Sequence, residues 1–159
     1  MKIPEDLASI LQGGAVLDSE EQAFVFLTVD AAGFPHPALL SRAELGVSND
    51  RVLAVVASVR TQNNLRRDGR AGLVAVEGTV AHYAKLRVVS SVEDAGVLGG
   101  CFELIEHKRD SLAIPLAPIT FRATQDIARL ERWELSARVL DALGEASAGR
   151  DESTSSAIG

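Results

Sequence analysis

The chain has 159 residues, 47% of them hydrophobic, with 16 Lys and Arg against 22 Asp and Glu and a formal net charge of −6. That length suits one domain with a sizeable core, and the acidic balance argues against nucleic acid as a main partner, because backbone neutralisation needs a broad basic surface. A single cysteine, Cys101, excludes an internal disulfide framework. No apolar run approaches a membrane-spanning length, and the start, with Glu5 and Asp6 early, does not read as a signal peptide, so a cytoplasmic protein is expected.

In chain order, Ile3, Leu7, Ile10 and Leu11 recur at helical spacing between Pro4 and Gly13-Gly14, which predicts a short amphipathic helix over 4–12. Residues 23–30 are rich in strand formers, and Ala31-Ala32-Gly33 turns the chain. Pro35 and Pro37 place the returning strand at an edge or near its start, where a missing N–H is tolerated. Ser48-Asn49-Asp50 is the next turn, and 51–57 read as a continuous apolar strand. Thr61 is a candidate cap for a short helix ending at Asp68-Gly69, followed by a strand over 71–77.

Residues 79–92 read as a long strand with both faces partly buried. From Ser91, Glu93 and Asp94 favour a helix start and Lys108 and Arg109 its end, with Gly99-Gly100 weakening the middle. Pro115 and Pro118 mark a loop, Ile119, Phe121 and Ala123 alternate as in a strand, and 134–143 look helical. The small, polar end reads as a disordered tail over 144–159, leaving a single domain over 1–143. About six strands in succession, joined by short turns, favour a mainly β architecture, an antiparallel barrel with flanking helices, over a doubly wound parallel sheet. The glycine-rich dinucleotide and nucleotide-triphosphate fingerprints are absent from the sequence.

The strongest local signal is cationic. Arg60, Arg66, Arg67 and Arg70 fall in an eleven-residue window that carries +3 when Asp68 is included. With Ser58, Thr61, Gln62, Asn63 and Asn64 around them, they suggest a small anion site such as a phosphate. A solvated helix face with surface salt bridges would have the same composition, and Ser58 and Thr61 can serve equally as strand end and helix cap.

The ordered stretches TVDAAGFPHPALLS, VLAVVASVRTQNNLRRDGRAGLVAV and GTVAHYAKLRVVSS resemble the pyridoxamine 5′-phosphate oxidase-like FMN-binding split barrels over roughly residues 20–130. No single motif carries the resemblance; the D-x-x-G-x-P-H strand end and the later N-L-R-R-[DN] turn do so in combination. The resemblance implies a six-stranded antiparallel split barrel and a homodimer with FMN at the subunit interface. It would place the phosphate near Ser58, Arg60 and Thr61, with Arg66 or Arg67 as a further candidate. The flavin ring would run along His36, Pro37, Ala38, Leu39, Leu40 and Ser41, with Asn64 and Leu65 nearby. A guanidinium with hydroxyl and backbone donors suits a phosphate, and an apolar strand edge suits a flat ring.

The chain departs from the family's vitamin B6 oxidases. Their R-x-V-L-L-K run is His36-Pro37-Ala38-Leu39-Leu40-Ser41 here, without either basic end, and their S-R-K signature is Val59-Arg60-Thr61. Their R-L-H-D-R substrate segment has only a faint echo at Arg129-Leu130-Glu131-Arg132-Trp133. Vitamin B6 oxidation is therefore not expected. His36 between two prolines fits a turn better than catalysis, His82 fits packing, and His107 closes the helix expected there; the three lack metal-ligand spacing. Cys101 reads as a small buried residue and Trp133 as packing.

The expectation is an FMN-dependent oxidoreductase acting on a small organic substrate, with no metal, nucleic acid or membrane partner. F420 or haem in place of FMN, or a non-catalytic cofactor-sensing or interaction module, are the alternatives.

Overall fold

The computed structural model describes residues 1–156, with side chains as far as residue 149. Helix α1 (Glu5–Leu11) buries Leu7, Ile10 and Leu11, the face its spacing predicts. After the short β1 (Glu20–Gln22), strands β2 (Phe24–Val29) and β3 (Pro35–Leu40) form a hairpin, and β4 (Leu45–Ser48) and β5 (Arg51–Val56) form a second. Helix α2 (Val59–Asp68) leads into β6 (Arg70–Glu77), followed by β7 (Val80–Asp94) and β8 (Val97–Ser111). The chain then makes β9 (Thr120–Arg122), which pairs with β1, and the helices α3 (Gln125–Leu130) and α4 (Trp133–Ser156).

The main sheet has seven antiparallel strands in the order β3-β2-β6-β7-β8-β5-β4, where six were expected. Its two edge strands, β3 and β4, are consecutive in the chain. Five residue steps reach roughly 18 Å, whereas seven strands laid flat span roughly 29 Å. The connection is too short for a flat sheet, so the sheet curls and its edges approach. The inner face holds Phe24, Phe26, Val52, Leu73, Leu86 and Phe102, with Phe26 and Phe102 edge-to-face at 5.8 Å. Helix α1 adds Leu7, Ile10 and Leu11 to that core, Ile3 joins it from just before the helix, and α2 adds Leu65. A second cluster, including Leu53, Val55 and Cys101, is covered by Leu135, Val139 and Leu143 of α4.

The helix expected from Ser91 to Arg109 is instead the end of β7 and nearly all of β8. Ala95 (φ 49°) and Gly96 (φ 89°) make a two-residue turn with both φ values positive, the geometry that joins twisted antiparallel strands. Gly99 and Gly100, read as helix-weakening, are strand residues. A Cβ on Gly99 would overlap Val139, and one on Gly100 would overlap the Phe102 ring. On β7 the inner face buries His82, Ala84 and Leu86, while Tyr83, Lys85 and Arg87 are exposed.

The expected last helix at 134–143 starts one residue earlier and runs on to Ser156, through most of the expected tail at 144–159. Leu143 is buried and Gly144 sits beside Ser48, so tertiary contact carries the helix past the apolar stretch. Residues 157–159 lie outside the described ones. No helix among the described residues is long and apolar enough to cross a membrane.

Candidate functional site

The β5–α2 corner brings most of the expected site residues to the free edge of β3. Ser58 is the N-cap of α2, its hydroxyl accepting from the Thr61 N–H at 3.4 Å. The cap is therefore Ser58, and Thr61 lies inside the first turn. Gly69 in the left-handed conformation ends the helix, its N–H donating to Leu65 O at 2.8 Å. Arg66 and Arg67 in the last turn complement the helix dipole. On the other side, Pro35 and Pro37 lie in an edge strand paired only with β2, as their missing donors require.

Two adjacent depressions follow this edge. One, of about 280 Å³, is lined by Asp30, Ala31, His36, Arg60, Asn63, Asn64 and Arg67. The other, of about 220 Å³, includes Ala38, Leu39, Leu40, Ser58 and Thr61 among its lining, with Glu44, Val55, Val97, Glu131 and Arg132. Eight of the twelve expected residues line one or the other. Pro37 and Ser41 belong to the same edge without lining either, Leu65 is part of the core, and Arg66 points elsewhere. A larger cavity, about 620 Å³ between α4 and β4, holds none of the expected residues.

The four arginines separate by their partners. Arg66 pairs with Glu93 at 2.6 Å and bonds Gln62 and Asn63. Arg67 donates to Val29 O and to Asn64 Oδ1, tying α2 to the end of β2. Arg70 pairs with Asp68 at 2.8 Å. Arg60 is exposed and has no hydrogen bond or ion pair among the described residues, so its guanidinium is the uncommitted cation of the cluster. The next residue, Thr61, is fully buried and its hydroxyl has no partner. An exposed free guanidinium, a helix N-terminus and an unmatched buried hydroxyl together suit an anionic ligand with a polar group beyond the charge.

Sequence reasoning missed the acidic wall. Glu44 stands just past β3, and its Oε2 accepts from the Ser41 N–H at 2.7 Å and from Ser41 Oγ. Burial raises its pKa above the ordinary carboxylate range; the Ser41 bonds oppose the shift and the charge of Glu131 adds to it. The indole of Trp133 is near enough to favour the ionised form, although its Nε1 does not reach hydrogen-bond geometry with any acceptor. Glu131 and Arg132 reach the site because Arg132 (φ 55°) turns the chain between α3 and α4 and donates to Ala95 O at 2.8 Å. In the sequence Glu131 and Arg132 stand out only as part of the faint echo at Arg129–Trp133, and Glu44 not at all, since only the tertiary fold brings that turn over β3.

His82 and His107 lie apart from this edge. Their Nδ1 and Nε2 atoms are 3.0 Å apart, with Asp6 Oδ2 3.8 Å from His82 Nε2. No group of three or more metal-ligating side chains is assembled among the described residues.

No protein-family model matches the chain. Over 82 residues it is 32% identical to the uncharacterized protein YclD of Bacillus subtilis (strain 168). That match takes in 50% of this chain and 53% of the relative, so the chain spans about half the length of the curated relative it matches. Among solved structures, an F420 reductase superposes with a TM-score of 0.53 at 10% identity, over 67% of this chain and 98% of that one. The styrene monooxygenase flavin reductase of Pseudomonas putida S12 gives 0.53 at 12%, over 68% and 90%. HupZ of group A Streptococcus gives 0.53 at 12%, over 72% and 99%. At these identities the likeness is one of fold. The class it defines is a curled antiparallel half barrel with flanking helices, an architecture also found in flavin and F420 reductases.

Proposed function

We propose that this chain is an FMN-binding oxidoreductase acting on a small organic substrate. The observation that carries the reading is Arg60, uncommitted at the N-terminal turn of α2, beside the unmatched hydroxyl of Thr61 and the free edge of β3. Arg60 and the first turn of α2 would hold the phosphate, with Ser58 fixing that turn. The edge residues His36 to Ser41 would flank the ring, and Leu65 would support the wall from the core. Bound FMN supplies the hydride or electron transfer. The chain's residues bind and orient the cofactor and limit its contact with water.

The reading includes a homodimer with the cofactor between subunits. It is supported by Phe34, Leu39 and Val59, large apolar residues that are 68%, 56% and 66% exposed around the same edge. The fold likeness to an F420 reductase keeps F420 as the competing cofactor, and haem is the third candidate.

An absorbance spectrum of concentrated protein, followed by titration with FMN, F420 and haem, tests the assignment. Twin bands near roughly 375 and 450 nm, or saturable FMN binding, are expected for the flavin reading. A colourless protein that binds none of the three would overturn it and leave the interaction-module alternative.

A further inference from the structure

The carboxyl group of Glu44 is anchored through one oxygen. Both of its hydrogen bonds, from Ser41 N–H and Ser41 Oγ, fall on Oε2. Oε1 has no hydrogen-bond partner among the described residues, and Glu44 lines the same cavity as Thr61, whose hydroxyl is also unmatched. Leu40, Val55, Val56 and Val97 supply the apolar part of the lining, and Ser58, Glu131, Arg132 and Ser136 its other polar groups. Buried polar groups are ordinarily matched, so the unmatched Thr61 hydroxyl, with the free oxygen of the half-buried Glu44 on the same cavity, is complementary to a ligand that is flat and polar at an edge.

The charged groups around Glu44 decide its protonation. Glu131, from the α3–α4 turn, is a like charge. Arg132, from the same turn, is bonded to Ala95 O. Arg42, two residues away in the chain, is held by both carboxylate oxygens of Glu21, at 2.9 and 2.8 Å. Arg132 keeps its charge, but no cation is among the causes that shift Glu44; the Trp133 indole favours the ionised form, while desolvation is the largest cause and Glu131 adds to it, so the neutral form is favoured. With Oε2 already accepting twice, the proton belongs on Oε1, the oxygen without a partner.

We propose that Glu44 contacts the bound cofactor as a neutral carboxylic acid, donating from Oε1 to a carbonyl oxygen or ring nitrogen on the polar edge of the flavin. Thr61, which lines the same cavity, supplies a second polar contact. This role rests on the FMN reading, and it makes cofactor affinity depend on the protonation of Glu44. Affinity is highest while Glu44 is protonated and falls as rising pH ionises it.

The test is a fluorescence titration of FMN into the full chain and into Glu44→Gln, repeated from about pH 5.5 to 8.5. The phosphate of FMN itself ionises near roughly pH 6, and the ratio of the two affinities at each pH cancels that contribution. Wild-type affinity is expected to fall roughly tenfold relative to Glu44→Gln across the range, since the amide keeps a donor at every pH, and such a bond is worth about one order of magnitude. Thr61→Val is expected to lose severalfold affinity at every pH without changing the slope. A carboxyl 13C titration of wild-type protein gives a readout independent of affinity, and adding FMN should move the Glu44 midpoint upward. A ratio constant with pH, or a Glu44 midpoint unmoved by FMN, overturns the role of Glu44 while leaving FMN binding intact. Folded wild-type protein that binds no FMN at any pH overturns the FMN reading and this role with it.

Discussion

Asn64 on α2 donates to Thr28 on β2 through a 2.9 Å Nδ2 to Oγ1 hydrogen bond, with both side chains buried. The bond fixes the helix that carries Arg60 and Thr61 against the sheet, and Arg67 reinforces it by donating to Asn64 Oδ1 at 3.2 Å. Asn64→Ala strands the Thr28 hydroxyl in the core and should cost about 1–3 kcal/mol. Thr28→Val strands the amide instead. Because each single change already breaks the shared bond, the double variant should lose less than the sum of the two. Urea denaturation of the four proteins measures that coupling, and strict additivity would show that the contact does not hold α2 in place.

Arg60 and Arg66 are six residues apart on one helix and differ in what they already bind. Arg60→Ala should weaken FMN binding by about 1.5–3 kcal/mol, as expected for losing a hydrogen bond to a charged group. Arg66→Ala removes an exposed pair with Glu93, so its effect on stability should stay within about 1 kcal/mol, and FMN affinity should be unchanged. Parallel FMN titrations decide the matter. Equal losses from the two variants would mean that the cluster acts by general charge and that Arg60 makes no specific contact.

The buried His82, paired with the half-buried His107, makes a prediction about acid stability. His82 is 2% exposed, and burial is the main cause that lowers its pKa from the ordinary value of 6.5. Asp6 opposes the shift, while His107 and Arg109 add to it. The unfolded chain therefore takes up a proton near pH 6.5 that the native state refuses. The stabilisation is complete above that pH and is lost as pH falls from about 6.5 toward the lowered native value. Protonating both rings would also leave two donors facing each other across 3.0 Å. Thermal melts between about pH 8 and 5 should show a steeper decline for wild-type protein than for His82→Gln. Parallel declines would place the acid sensitivity elsewhere.

Much of the sheet was legible because its strands carry local signals. Phe24 to Val29 alternates inward and outward, Gly33 turns the first hairpin, and the two prolines of β3 mark an edge. The β7–β8 hairpin was misread because its charges imitate a helix. Glu93 and Asp94, which fit a helix start, pair with Arg66 and Arg138, while Lys108 and Arg109, which fit a helix end, pair with Asp110 and Asp6. The same residues satisfy a helix dipole or ion pairs, most of them between distant elements and one within β8, and composition does not distinguish the two. At the site, the β3 edge and the α2 turn were legible from turn and cap chemistry. Glu44 was not, because its burial depends on the α3–α4 turn nearly ninety residues later.

Gly99 tests how the last helix is held. Its strand β8 lies under α4, and a Cβ placed there would overlap Val139 Cγ1 and come within 3.0 Å of Leu143 Cδ1 and 3.2 Å of Val92 Cγ2. Val139 and Leu143 are both 2% exposed, so neither can swing into solvent without opening the cluster that includes Leu53, Val55 and Leu135. Gly99→Ala should therefore push α4 off the sheet and cost about 1–3 kcal/mol through overpacking. Gly99→Ala with Val139→Ala restores the room at the expense of buried methyl groups and should recover part of the loss. Because α4 begins at Trp133, beside the Glu131 and Arg132 that line the β3 cavity, the single variant should also weaken FMN binding although Gly99 lines neither depression. Full stability in Gly99→Ala would mean that α4 is not seated on β8 through this contact.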